Sequence, residues 1–208
     1  MGLPAEKSRS VTVEEYLRIE NDSSERHEYR DGEILAMGGG TYEHSLITTN
    51  VLGELRNALK GKPCRALESN LRVRIARRAR YMYPDAMVVC GPPDFDPADG
   101  GRRSVLNPRV VVEVLSPSTE AYDRREKFDA YRDIPSLEEY VLVTSDQPRI
   151  EVFLRQGGGA WLFTPIAGRE GIVRLQSLGI ELPLAEIFAE VEFPPPPPPP
   201  ADARVETE

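Results

Sequence analysis

The stretch Arg109-Val-Val-Val-Glu-Val-Leu115 decides the fold, because a short valine-rich run is typical of a strand that is buried on both faces. Side chains alternate between the two faces of a strand, so Glu113 shares a face with Val111 and Leu115. A carboxylate in apolar surroundings is costly unless it is paired, neutralised or bound to a metal. Glu113 is therefore the first candidate functional residue.

A second acidic residue precedes a second apolar run upstream. Asp85 follows Pro84, and the apolar stretch that begins at Ala86 is typical of another buried strand. Proline cannot donate a hydrogen bond to a sheet, so Pro84 marks the edge of the ladder. The sequence thus predicts two carboxylates, Asp85 and Glu113, on two core strands.

A short helix is predicted after the Glu113 strand. Asp123 and Glu126 have the spacing of a capping box, and Phe128 and Tyr131 lie on one helical face that can dock on the core. Lys127 lies at the edge of that face, where a long side chain can reach back to the strand ends. Two acids and one lysine are expected to converge.

Length and composition favour one soluble globular domain. The 208 residues are 40% hydrophobic and 29% charged, and no apolar run is long enough to span a membrane. The N-terminus lacks the pattern of a secretory signal. Cys64 and Cys90 lie far apart with no metal-binding spacing, so we expect reduced, structural thiols and a cytoplasmic protein.

Charge is unevenly distributed along the chain. The formal net charge of −8 argues against binding to nucleic acid through bulk electrostatics alone. Five arginines nevertheless fall between Arg72 and Arg80. One interpretation is a solvated edge or hairpin loop, and the other is contact with phosphates beside the carboxylates.

The order of predicted elements favours an α+β (α/β-like) domain with a mixed β-sheet flanked by helices. We expect a flexible N-terminus over residues 1–10, a single domain over 11–193, and a polyproline and disordered tail over 194–208. The predicted elements are helices at 13–21, 44–60 and 184–189, a hairpin around Asp31-Gly32, strands near 64–67, 71–75 and 86–89, a long exposed loop over 91–107, a meander over 139–165 and a last segment at 179–183.

Several short motifs follow one another in a fixed order along the chain. They are Glu28-Tyr29-x-Asp31-Gly32-Glu33, His44, Tyr83-Pro84-Asp85, Val112-Glu113-Val-Leu-Ser-Pro-Ser-Thr119, Asp123-x-x-x-Lys127-x-x-x-Tyr131 and Glu139-Tyr140. This set resembles the Uma-two-type putative restriction endonuclease family, a branch of the PD-(D/E)xK nuclease superfamily, over essentially residues 11–193. The resemblance implies a restriction-endonuclease-like mixed sheet and a Mg²⁺-dependent site that hydrolyses phosphodiester bonds of DNA, with Mn²⁺ as a possible substitute.

The resemblance assigns roles to individual residues. Asp85 and Glu113 would hold the metal together with the Val114 carbonyl. The superfamily lysine stands two residues after the second acid, where this chain has Leu115, so Lys127 on the following helix is expected to replace it.

Two further residues are candidates for the same site. Glu28 resembles the extra N-terminal acid of such sites, and it could complete the metal shell or act as a base. His44 opens a helix, where the helix dipole disfavours the imidazolium, and the resemblance gives it a role at the site.

Alternatives remain open for the residues and for the protein. Asp85 could cap a turn, Glu113 could pair with an arginine of the 72–80 cluster, and Lys127 could face solvent. The favoured function is a DNA endonuclease that acts as a homodimer. The alternatives are a catalytically inactive module that binds nucleic acid or a protein partner, and an enzyme that hydrolyses small phosphoesters.

Overall fold

The computed structural model describes residues 10–193, and β-strands make up most of its regular structure. The helices are α1 (Val13–Asp22), α2 (Tyr42–Ala58), α3 (Glu120–Tyr122), α4 (Phe128–Tyr131) and α5 (Leu184–Ile187), with a π-helical turn (Asp123–Lys127) between α3 and α4. The strands are β1 (His27–Arg30), β2 (Glu33–Ala36), β3 (Cys64–Glu68), β4 (Arg72–Ile75), β5 (Arg80–Met82), β6 (Ala86–Cys90), β7 (Ser104–Val105), β8 (Val110–Leu115), β9 (Glu139–Thr144), β10 (Arg149–Arg155), β11 (Trp161–Ala167), β12 (Ile172–Leu175) and β13 (Ile180–Pro183).

The strands form two principal sheets and a separate hairpin. The larger sheet has six strands in the order β11-β10-β9-β8-β6-β3, and the smaller has five in the order β2-β1-β5-β4-β7. Strands β8 and β9 are parallel, as are β4 and β7, whereas their other neighbours are antiparallel. The predicted α+β fold with mixed sheets and flanking helices is confirmed.

Strand β8 separates two apolar cores, as its alternating pattern predicts. Val110, Val112 and Val114 pack in one core beneath α2, while Val111 and Leu115 pack in the other. Every residue of β8 is buried. Burying one such aliphatic side chain contributes roughly 1.5–3 kcal/mol, so β8 is a main source of stability.

The predicted hairpin around Asp31-Gly32 is confirmed, and a threonine caps each of the first two helices. Thr12 caps α1 and forms a capping box with Glu15. Asp31 and Gly32 connect β1 to β2 with φ values of 50° and 99°, which glycine and aspartate tolerate better than most residues. Thr41 caps α2.

Two arginines of the 72–80 cluster are held inside the domain, which neither sequence interpretation predicted. Arg72 is buried and donates to Asp99, and Arg74 lies 3.7 Å from Asp96. These two aspartates come from the stretch 91–107, which was expected to be an exposed loop but contains β7 and folds back onto β4.

The other three arginines lie at or near the short connection between β4 and β5, in agreement with the hairpin-loop interpretation. Arg77 is exposed, Arg78 pairs with Asp129 and Asp133, and Arg80 pairs with Asp31.

The expectation of reduced cysteines is wrong. Strands β3 and β6 pair so that Cys64 lies directly opposite Cys90, and the two form a disulfide. Residues that are 26 apart in sequence give no local signal for this pairing, which depends on the sheet register. The argument from cysteine usage for a cytoplasmic location no longer holds, and that location stays a prediction.

Three short strands, β5, β7 and β12, were not predicted. Within residues 10–193, none of the helices has the length and apolar character of a membrane span. Apart from Ser10, the predicted N-terminal segment 1–10 and tail 194–208 lie outside the described residues.

Candidate active site

A cleft of about 370 Å³ opens where the carboxyl end of β8 meets β1, the first turn of α2 and the π-helical turn. All the predicted site residues line it, including the Val114 backbone. Its polar and charged lining consists of Glu28, Arg30, His44, Tyr83, Asp85, Glu113, Ser116, Ser118, Thr119, Tyr122, Asp123 and Lys127. The structure therefore brings the two acids and the lysine together in one cleft.

Asp85 and Glu113 come together because of the register between β6 and β8. Ala86 pairs with Val112 in this antiparallel ladder, so continuing the register by one residue sets Asp85 opposite Glu113. The Val114 N–H donates to Asp85 Oδ2 at 2.7 Å, which gives that backbone donor a partner beyond the end of the ladder. Asp85 therefore accepts from β8 and does not merely cap a local turn.

Lys127 lies inside the cleft and does not face solvent. Its ammonium is 3.2 Å from Glu113 Oε1, 3.3 Å from Glu28 Oε1 and 3.4 Å from Asp123 Oδ1. Its side chain is only 9% exposed. Glu113 consequently pairs with Lys127, and not with an arginine of the 72–80 cluster.

Burial and neighbouring charges shift the pKa values of Glu113 and Lys127. Desolvation raises the pKa of Glu113 well above its usual range, although Lys127 opposes the rise. Burial alone would lower the pKa of Lys127, but the surrounding carboxylates raise it well above its usual range. The ammonium therefore stays charged, and the carboxylates around it exceed the positive charge that it supplies.

Glu28 is fixed from the side of β1. It is buried, and it accepts from the Tyr83 N–H at 3.2 Å and from the Tyr122 hydroxyl at 3.3 Å. Glu28, an acid of the first hairpin, is thus part of the cleft. Tyr83 in turn donates its hydroxyl to Glu20, which ties this wall to α1.

His44 contacts Asp85 from the opposite wall, with Nε2 at 3.3 Å from Asp85 Oδ2. The hydrogen bond to Asp85 raises the pKa of His44, although burial of the ring opposes the rise. A hydrogen bond to the Val114 backbone also raises it. These partners favour the imidazolium, whereas the dipole of α2 disfavours it.

Asp123, Tyr122 and the fully buried Tyr131 contact the predicted site residues but were not themselves predicted as site residues. Asp123 is buried, and its Oδ1 has no hydrogen-bond partner; the capping box predicted for it is absent, since the helical segment begins at Glu120. The Tyr131 hydroxyl donates to Glu113 Oε1 at 3.1 Å, and Tyr122 contacts Glu28. The i,i+4 spacing of Asp123 and Lys127, which places them on one helical face, was the available signal.

The donor set fits a hard divalent cation. Within residues 10–193, no three histidine, cysteine, aspartate or glutamate side chains converge closely enough to hold a metal by themselves. Mg²⁺ needs only one or two carboxylates, because water and substrate phosphate complete its octahedral shell. Asp85 and Glu113 provide that pair, and the excess of acidic side chains over the single Lys127 favours an additional positive charge in the cleft.

The comparison with protein families agrees with this geometry. The family model of Uma2, described as "Putative restriction endonuclease", matches residues 13–185. The chain belongs to the Uma2 family. The match begins at α1 and ends within α5, so it covers every element that contributes to the cleft.

Two relatives and one solved structure match most of the chain. Two proteins of Synechocystis sp., both described as uncharacterized, are 36% identical over 91% of this chain and 32% identical over 83% of it. In each case the match covers 97% of the relative. A crystal structure from Anabaena variabilis, described as a putative nuclease belonging to DUF820, matches the fold with a TM-score of 0.69 at 17% identity. That match covers 86% of this chain and 97% of the other.

Proposed function

We propose that this protein is a metal-dependent nuclease that hydrolyses phosphodiester bonds of DNA. The observation that carries the proposal is the pairing of Lys127 with Glu113 at 3.2 Å, next to Asp85, in an open cleft. These are the three side-chain types that the chemistry needs: two acids for a metal and one cation for phosphate charge. Membership of the Uma2 family supports the same function.

Mg²⁺ or Mn²⁺ is the cofactor of this proposal. Asp85, Glu113 and the Val114 carbonyl would hold it, and when bound it would lower the pKa of a water molecule and polarise a phosphoryl oxygen. His44 lies against Asp85 and the Val114 backbone, so it helps to orient the same two ligands. The metal-ligand role thus rests on residues whose positions are already fixed by hydrogen bonds.

Lys127 and Glu28 carry the remaining chemistry. The Lys127 ammonium would offset the negative charge that develops on the phosphate and orient the attacking water. Glu28 is 3.3 Å from that ammonium, so it can keep Lys127 pointed into the cleft and accept a proton from the water. Lys127 would therefore take the role of the superfamily lysine, whose usual position is occupied by Leu115 in this chain.

We also propose that the functional unit is a homodimer. The described part of one chain contains one such cleft, and cutting both strands of a duplex takes two cuts. A single chain would nick one strand.

Nicking of supercoiled plasmid with Mg²⁺ or Mn²⁺ tests the function. We expect Glu113→Gln and Lys127→Met each to lower the nicking rate roughly 100-fold or more, because each removes a group that stabilises the transition state. Glu138→Gln is the matched control, since Glu138 is a half-exposed acid at the start of β9 and pairs with Arg109 outside the cleft. Its rate should equal that of the wild type.

Other outcomes separate the alternatives. Metal-dependent nicking that persists in Glu113→Gln would contradict the assignment of the site. If the wild type does not nick, fluorescence anisotropy with labelled duplex distinguishes a nucleic-acid-binding module from a protein that does not bind DNA. Release of phosphate or nitrophenol from small phosphoesters would indicate the third function.

A further inference from the structure

Among residues 10–193, hydrogen bonds reach one of the two carboxylate oxygens of Glu113 and leave the other without a donor. Oε1 accepts from the Lys127 ammonium at 3.2 Å and from the Tyr131 hydroxyl at 3.1 Å. Both donors therefore share one oxygen. Because Glu113 lines the cleft, Oε2 is the oxygen that stays available for an ion.

Asp85 shows the same asymmetry. Its Oδ2 accepts from the Val114 N–H at 2.7 Å and lies 3.3 Å from His44 Nε2. The described part of the chain places no hydrogen-bond donor on Oδ1. Each of the two acids thus has one oxygen held by the protein and one oxygen free. This arrangement suits a small octahedral ion that takes single oxygens from carboxylates and fills its remaining positions with water and phosphate.

Lys127 and Tyr131 hold Glu113 in different ways. The Lys127 ammonium is shared among Glu113, Glu28 and Asp123, at 3.2, 3.3 and 3.4 Å, and in the proposed function it also contacts the phosphate. The Tyr131 hydroxyl has Glu113 as its one hydrogen-bond partner within residues 10–193. Tyr131 is therefore the partner that keeps Oε1 in place when Lys127 turns toward a substrate.

The fold fixes the direction of the Tyr131 hydroxyl. Glu113 shares a face of β8 with Val111 and Leu115, and Tyr131 packs in the same core as these two residues. The Tyr131 side chain is fully buried, and its ring centre lies 5.7 Å from that of Tyr140. A tyrosine side chain has two rotatable bonds before its ring, so a buried ring leaves the hydroxyl oxygen little freedom.

We propose that Tyr131 is a positioning residue of the metal site, which holds Glu113 Oε1 so that Oε2 faces the ion. The inference rests on the proposed function and deepens it. Groups that hydrogen-bond to metal ligands orient them, and their loss typically weakens metal binding. The competing explanation is that the hydroxyl only gives a buried acid a partner, in which case its loss would lower stability without changing the affinity for a metal.

Calorimetric titration of the full chain with Mn²⁺, without DNA, tests the positioning role. We expect Tyr131→Phe to raise the dissociation constant for Mn²⁺ roughly 10-fold or more, because Glu113 loses the donor that fixes its carboxylate. Phenylalanine keeps the ring in the core. If that variant does not fold, Tyr131→Met removes the same hydroxyl with a flexible apolar side chain and repeats the measurement.

Tyr29→Phe is the matched control. Tyr29 is 4% exposed, and its hydroxyl donates to the Val11 carbonyl at 2.7 Å, outside the cleft. Removing this hydroxyl should leave the Mn²⁺ affinity unchanged, although both substitutions delete the hydrogen bond of a buried tyrosine. Plasmid nicking adds a second readout: in Tyr131→Phe the Mn²⁺ concentration for half-maximal rate should rise together with the dissociation constant, and excess Mn²⁺ should restore the rate.

Two outcomes overturn the inference while the metal site stands. One is an unchanged Mn²⁺ affinity in Tyr131→Phe, and the other is an equal loss of affinity in Tyr29→Phe, which would indicate general loosening of the domain. Glu113→Gln separates these failures from failure of the proposed function, because it should abolish Mn²⁺ binding if the metal site is correct. A wild type that binds no Mn²⁺ would contradict the metal-dependent function, and the positioning role with it.

Discussion

Two buried ionic clusters in this domain handle charge in different ways. The balanced cluster consists of Arg72, Asp99 and Asn21: Arg72 is 1% exposed and donates to the two acceptors at 2.7 and 2.9 Å. The excess cluster consists of Lys127, Glu113, Glu28 and Asp123, in which one ammonium faces three carboxylates. The first cluster neutralises itself, and the second does not.

The difference separates a structural ion pair from a site. Buried charges are costly, so a folded protein usually pairs them one to one, as Arg72 and Asp99 are paired. The excess cluster sets three acidic side chains against one lysine in an open cleft, and burial raises the pKa values of Glu113 and Asp123. Strongly shifted pKa values of this kind concentrate at functional sites. The imbalance, more than the burial, therefore marks the cleft as the place where a cation and a phosphate would bind.

The largest expected effect is the loss of stability in Lys127→Met. This change leaves three buried carboxylates without their common partner, so we expect the free energy of unfolding to fall by roughly 3–5 kcal/mol. Urea unfolding at neutral pH measures it. Lys60→Met, at an exposed position after α2, is the control and should change stability by less than about 0.5 kcal/mol. Equal effects of the two substitutions would contradict the excess-charge description.

The balanced cluster should respond to the loss of either partner. We expect Arg72→Met and Asp99→Asn each to lower the free energy of unfolding by about 3 kcal/mol, because each leaves a buried group without its partner. The double variant should lose less than the two single losses combined, with a coupling of roughly 0.5–3 kcal/mol. Strict additivity in this double-mutant cycle would show that the pair is not coupled.

The fold could be predicted largely from local patterns. The alternation in β8 predicts its two cores, and the Asp31-Gly32 turn predicts the first hairpin, because these signals lie within a few residues of one another. The disulfide between Cys64 and Cys90 and the pairing of Arg72 with Asp99 could not be predicted in this way. Both depend on which strands become neighbours, and that choice is made by the whole core.

Most residues of the site could be predicted from the sequence, but the excess of acidic side chains over cations could not. Asp85, Glu113 and Lys127 were recognisable as acids and a lysine beside buried strands, and motif order added Glu28 and His44. Asp123 was interpreted as a helix cap, since an acid near a helix start usually is one. Its burial follows from the π-helical turn, which rotates Asp123 and Lys127 together into the cleft, and no local sequence rule predicts such a turn.

Asp123→Asn is expected to change the free energy of unfolding least. It therefore gives the clearest contrast with the substitutions in the balanced cluster. Burial raises the pKa of the Asp123 carboxyl, so folding disfavours its ionised form, and its 3.4 Å contact with Lys127 is the longest of the three carboxylate contacts of that ammonium. Removing this one charge leaves Lys127 with Glu113 and Glu28. We therefore expect the free energy of unfolding to stay within about 1 kcal/mol of the wild type or to rise, as substitutions at strained functional sites often do.

The same chemical change in the balanced cluster is the matched control for Asp123→Asn. Asp99 accepts from Arg72 and from the Arg103 N–H, so Asp99→Asn removes a charge that its partners need, whereas Asp123→Asn removes one that the cleft holds in excess. Urea unfolding of both variants under one set of conditions compares them directly. A loss of about 3 kcal/mol in both would mean that Asp123 is as fully paired as Asp99. The excess of carboxylates over cations would then not be what distinguishes the cleft from the balanced cluster.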